Sequence, residues 1–202
     1  IEDPIEYLHL DRQATISQRE LHTDTNDYSR ALRSAMRQDP DIILVGEVRD
    51  VETMRIALQA AETGHLVLAT LHARTVVDSI NRIVDLFGAD EQRQARASLA
   101  ESLRGVLCQR LVPAASGTGR VLVLEVAVAT PRIREAVIDP DKTGSLQDIV
   151  ADGEFYGMRT FEQDAIRLVL AGTITPDAAE GVVPRIADLH VALKRAGYRE
   201  GA

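Results

Sequence analysis

The chain has 202 residues and 45% hydrophobic content, enough to bury one sizeable core or a core with a small satellite domain. Its net charge of −8 argues against nucleic acid as a main partner, because phosphate binding needs clustered Lys and Arg. A single cysteine, Cys108, excludes an intrachain disulfide and a Cys-cluster zinc site, and no apolar run is long enough to insert directly into a membrane.

No signal peptide is visible, and the chain opens on Ile1 in what reads as a strand, so it is expected to be a segment of a longer protein. Glu2, Asp3 and Glu6 follow at once. Three carboxylates this close either line an acidic strand end in solvent or crowd around a cation or phosphate-bound metal. Ala14 to Leu21 alternates as a strand does, with Arg19 and His22 near its end. Asp27 to Gln38 reads as a helix whose apolar stripe is Tyr28, Ala31, Leu32, Ala35 and Met36. Arg30, Arg33 and Arg37 lie off that stripe, as a solvated basic face or as phosphate or subunit contacts.

The segment from Asp39 to Asp50 organises the chain. Ile42 to Val45 is an unbroken apolar run, too short for a typical helix and rich in β-branched residues, and predicts a strand buried on both faces. Gly46, Glu47 and Arg49 follow, and Asp50 stands where it caps the next helix. That helix runs from about Val51 to Thr63, with Met54, Ala57, Leu58 and Ala61 inward and Gly64 as its stop. Leu66 to Leu71 predicts a second buried strand with His72 at its end. Strand, helix and strand in succession form a parallel crossover, and ligands in such sheets bind beyond the carboxyl ends of the strands. Glu47, Thr70 and His72 are therefore expected to face one crevice.

Helices are expected at about Thr75–Phe87, with Val76, Val77, Ile80, Ile83, Val84 and Phe87 on one face, and at about Glu91–Gln109. A short strand Arg110–Pro113 and a longer one Val121–Ala129 complete the β content. Glu125 inside the latter needs a partner if buried and none on an edge strand. From Pro131 only helical patterns follow, at about 131–138, 145–152, 160–171, 176–181 and 184–196, which places a domain boundary near Thr130. Thr160 reads as the N-cap of its helix.

Taken together, these motifs resemble the type IV pilus retraction ATPase (PilT) family of the type II/IV secretion ATPase superfamily. Ile1–Glu6 is similar to its Asp box. Asp39–Asp50 is similar to its Walker B segment, and Gly64–His72 with Asn81–Phe87 to its His box. Thr130–Arg134 resembles the segment that opens the retraction family's helical tail, although Glu135–Ile138 departs from the usual pattern. Secretion and extension relatives often carry four zinc-binding cysteines; one cysteine leans toward retraction.

The resemblance implies an α/β fold: residues 1–130 as the carboxyl-terminal portion of a RecA-like P-loop NTPase core and 131–202 as an α-helical C-terminal domain. It implies a homo-hexameric ring on the cytoplasmic face of the inner membrane, hydrolysing ATP with Mg2+ and working on a pilus inner-membrane platform protein. Glu47 then positions or deprotonates the attacking water, Glu2 and Glu6 serve catalysis, and Asp3 serves the metal. His72, Arg82, Arg33 and Gly46 contact the nucleotide. No Gly-x-x-x-x-Gly-Lys-Ser/Thr occurs, nor any Gly-Lys pair, which fits a chain cut upstream of Ile1. The other expectations are an ATPase of type II secretion or pilus assembly, and a non-catalytic ring or assembly module.

Overall fold

The structure, a computed structural model, describes residues 1–198. Two compact units make up the chain: Ile1–His72 with Asn81–Leu103, and Ala73–Ile80 with the chain from Arg104 onward.

In the first unit, α1 spans Tyr28–Ala35, β1 Ile42–Val45, α2 Val51–Glu62 and β2 Leu66–Ala69. Asp27 caps α1 by accepting the Arg30 N–H at 2.7 Å, which satisfies one of the free donors at the helix start. β1 and β2 run parallel, Ile42 opposite Leu66 and Val45 opposite Ala69, with α2 as the crossover. Ile43 and Val45 are buried under the helices. The expectation of burial on both faces is corrected: Ile42, Leu44, Leu66 and Leu68 form an exposed face, since nothing among the described residues packs over it. Gly64, at φ 105°, ends α2 in a conformation only glycine adopts without strain. The expected strand at 14–21 is absent. Glu20 and Leu21 make only isolated bridges, to Glu2 and Thr25, because Asp24, Thr25 and Glu20 close a local turn instead.

Two helices continue the chain, α3 (Val76–Asp85) and α4 (Gln92–Ser102). Val76, Ile80, Ile83, Val84 and Phe87 are buried, as the 3.6-residue spacing requires. The expected helix to Gln109 stops at Ser102, and β3 begins at Gly105. Leu103, Val106 and Leu107 happen to extend the helical period, but Leu103 is already extended at ψ 133° and the next residues pair with a distant strand.

In the second unit, β3 (Gly105–Pro113) and β4 (Arg120–Val128) form an antiparallel hairpin, with β3 starting at Gly105 rather than at the expected Arg110. Among the described residues five α-helices follow: α5 (Pro131–Ile138), α6 (Leu146–Ala151), α7 (Phe161–Leu170), α8 (Pro176–Glu180) and α9 (Ile186–Arg195). Thr160 opens α7 with a reciprocal capping box to Gln163. The compact units divide at Leu103–Arg104, and the hairpin packs with the helices that follow it. Leu124 N–H donates to Asp164 of α7 at 2.8 Å, and Arg110 of β3 donates to the Val182 carbonyl at 2.9 Å. No helix among the described residues is long and apolar enough to cross a membrane.

Candidate active site

The site begins where β1 ends. Asp50 caps α2 twice over, accepting the Thr53 N–H and hydroxyl, each at 2.8 Å. That cap fixes the exit of the loop, so Gly46 to Arg49 spans a short gap between strand and helix. Across it, Val48 N–H donates to the Thr70 carbonyl at 3.1 Å and the Thr70 hydroxyl donates to the Gly46 carbonyl. The tips of β1 and β2 are thereby tied together.

Glu47 occupies the centre. His72 Nε2 lies 2.9 Å from its Oε1, and Arg49 Nη2 lies 2.6 Å from its Oε2. An ionised carboxylate only accepts, so the His72 contact requires the proton on Nε2. Glu47's side chain is only 17% exposed, whereas His72 and Arg49 stand in solvent. The Arg49 hydrogen bond holds the Glu47 carboxyl below the ordinary carboxylate range; partial burial opposes this, and the charges of Arg49, His72 and Arg82 add to it. A carboxylate kept ionised, fixed by two donors and set at the ends of adjacent parallel strands is able to orient a water or accept its proton.

The other expected residues are distributed as follows. Asp3 faces Arg49 at 3.8 Å, so Arg49 bridges Asp3 and Glu47. Glu2 accepts from the Gln18 side chain at 2.9 Å, and Glu6 is exposed, so the three carboxylates of the opening segment do not converge. Gly46 donates its N–H to the Ile1 carbonyl at 2.8 Å; a Cβ there would meet that oxygen at 3.1 Å and Glu2 Cα at 3.2 Å, so the close approach of two backbones accounts for the glycine. Arg82 is exposed and acts on Glu47 through charge. Arg33 pairs with Glu52 at the start of α2 and is not brought to Glu47.

Two residues were missed. Arg49 lies two positions after Glu47, and on an extended chain such residues share a side; that was the available signal. Tyr28 is buried in α1, and burial, then the charge of Asp3, raises its hydroxyl pKa. No sequence signal separated it from an ordinary core tyrosine.

Among the described residues no group of three His, Cys, Asp or Glu side chains is arranged to hold a metal. Mg2+ commonly takes one or two carboxylates and completes its shell with phosphates and water. Asp3, a half-buried carboxylate beside the Glu47 cluster, suits that limited part.

The parallel crossover is an α/β arrangement, and the likeness to solved structures is consistent with a fold of the ATPase-domain kind. Residues 1–181 match the family described as Type II/IV secretion system protein, and the chain belongs to that family. It is 46% identical over 179 residues to the Type IV pilus retractation ATPase PilT of Pseudomonas aeruginosa, covering 89% of this chain and 52% of that protein. It is 45% identical over 179 residues to a twitching motility protein of Neisseria gonorrhoeae, covering 89% of this chain and 48% of that one. The crystal structure of the pilus retraction motor PilT with bound ADP superimposes with a TM-score of 0.83 at 40% identity, covering 94% of this chain and 53% of that one. The chain thus spans about half the length of these relatives.

Proposed function

We propose that this chain is the Walker B and His-box part of an ATP-hydrolysing motor subunit that powers type IV pilus retraction. The observation that carries the reading is Glu47, held between His72 and Arg49 beyond two parallel strands. Among the described residues the four strands precede Thr130 and helices follow it, and residues 1–130 are read as the later portion of a RecA-like core and 131–202 as a helical domain.

In this reading Glu47 orients the attacking water and takes its proton. His72 reads the γ-phosphate region, with Gly46 bordering the nucleotide. Arg82 supplies positive potential at the crevice, as phosphoryl transfer requires. Asp3 would hold Mg2+, which would supply charge neutralisation on the phosphates, with Glu2 and Glu6 toward the water side. Arg33, bound to Glu52, serves at a subunit boundary rather than at Glu47. The subunit works as a homo-hexamer at the cytoplasmic face of the inner membrane, against the pilus platform protein. The retraction relatives named above favour this machine over secretion.

The test is ATP turnover by the full-length parent protein. Glu47→Gln is expected to lower kcat about 100-fold or more with nucleotide binding retained. Unchanged turnover removes Glu47 from the mechanism and returns the chain to a non-catalytic ring module.

A further inference from the structure

The chain has three phenylalanines. Phe87 and Phe161 are buried, but Phe155 is 92% exposed, and its neighbour Tyr156 is 58% exposed. Their rings meet edge to face with centroids 5.2 Å apart. They ride on a 3-10 turn, Glu154–Tyr156, between α6 and α7.

That turn is fixed from within. Tyr156 N–H donates to the Gly153 carbonyl and Gly157 N–H to the Glu154 carbonyl, both at 2.9 Å. Gly157 closes it at φ 78°. Beneath it, buried Met158 presses on Gly153 so closely that a Cβ there would lie 2.0 Å from Met158 Cε. Met158 therefore fills the space under the turn, and the two rings are held outside. Asp148 on α6 and Asp152, the residue after its end, stand exposed four residues apart, and Glu154 is exposed on the turn itself. Arg132 approaches Asp152 only to 4.0 Å.

We propose that this aromatic knuckle is a docking point for an exposed arginine side chain on a partner protein. A guanidinium stacks on aromatic faces and bonds carboxylates in a fork, and both chemistries are offered within nine residues here. The carboxylates disfavour nucleic acid and anionic bilayers. In a second copy this face carries the same three carboxylates, which opposes its pairing with itself. The preformed turn leaves little ordering to be done on binding.

The probe is a fluorescent nonapeptide of alternating arginine and glycine, titrated with the 202-residue chain and followed by anisotropy. A lysine–glycine peptide is the comparison. The chain is expected to bind the arginine peptide about fivefold tighter than the lysine peptide. Phe155→Ala with Tyr156→Ala, which leaves every charge in place, is expected to abolish that preference without lowering the melting temperature. Phe155→Leu keeps apolar bulk without a π face and is expected to weaken the preference as well. Equal binding of the two peptides, or a preference that survives the double variant, overturns the proposal. So does a concentration-dependent dimer, or binding to phosphatidylglycerol vesicles, that the double variant removes, since either names a different occupant.

Discussion

Glu125 Oε1 accepts the backbone N–H of Val76 at 2.7 Å, joining the middle of β4 to the first turn of α3. Its other oxygen accepts from the Gln147 side chain of α6 at 3.2 Å. The alternation of β4 turns this residue inward, and the free donors at a helix start are the partners a buried carboxylate needs. The buried glutamate is thus satisfied rather than strained.

Glu125→Ala removes the acceptor and leaves the Val76 N–H buried and unpaired. The expected loss is about 3 kcal/mol, read as a lower midpoint in urea. Glu125→Gln keeps one carbonyl oxygen for Val76 and is expected to cost less. An alanine variant that unfolds with the parent midpoint contradicts this role.

The chain contains no Gly-Lys pair, and a backbone nest with its lysine is what cradles β- and γ-phosphates in a P-loop. The isolated 202 residues are therefore expected to release phosphate from Mg-ATP no faster than their Glu47→Gln variant. Turnover by the isolated chain that disappears in that variant would show a phosphate site built from other residues.

Much of this arrangement was legible because it depends on local chemistry. Asp27, Asp50, Thr130 and Thr160 each precede an apolar helical period, and each caps the helix that follows. The apolar runs 42–45 and 66–69 are strands, and Glu47 and His72 follow directly from their ends. What was not legible depends on distant pairing. Leu103, Val106 and Leu107 fit a helix as well as a strand, and only β4, about twenty residues on, decides between them. The stretch 14–21 alternates like a strand but finds no strand to pair with, only bridges at Glu20 and Leu21. The Glu47 contact of Arg49 is local, but its bridge to Asp3 joins residues 46 positions apart and was not legible.

Arg49→Met tests the electrostatics of the site. Arg49 is the largest cause of the lowered Glu47 pKa, so its loss is expected to raise that pKa toward the ordinary carboxylate value. A group whose folded pKa is depressed adds stability above its unfolded pKa and loses it as pH falls through the folded one. The variant is therefore expected to protonate Glu47 at a higher pH than the parent, read by carboxyl 13C NMR with labelled glutamate. In the full-length protein, the acidic limb of the turnover profile moves upward with it. An unmoved Glu47 titration means the 2.6 Å contact does not persist in solution.

Cys108 gives an alkaline counterpart. It is buried on β3, and burial pushes its thiol up to about 11 from 9.0, with the Ser79 contact at 3.8 Å opposing part of the shift. The folded state therefore keeps its proton where the unfolded chain has lost it. Its contribution to stability is complete below the unfolded value of 9.0 and is lost as pH rises toward about 11. Two readouts follow. The native thiol is expected to react with a disulfide reagent at pH 8 far more slowly than the urea-unfolded chain. Cys108→Ala is expected to flatten the fall in stability above pH 9 while leaving a small cavity cost at neutral pH. Rapid labelling of the folded chain at pH 8 would mean that the β3–β4 hairpin opens to solvent more readily than its packing implies.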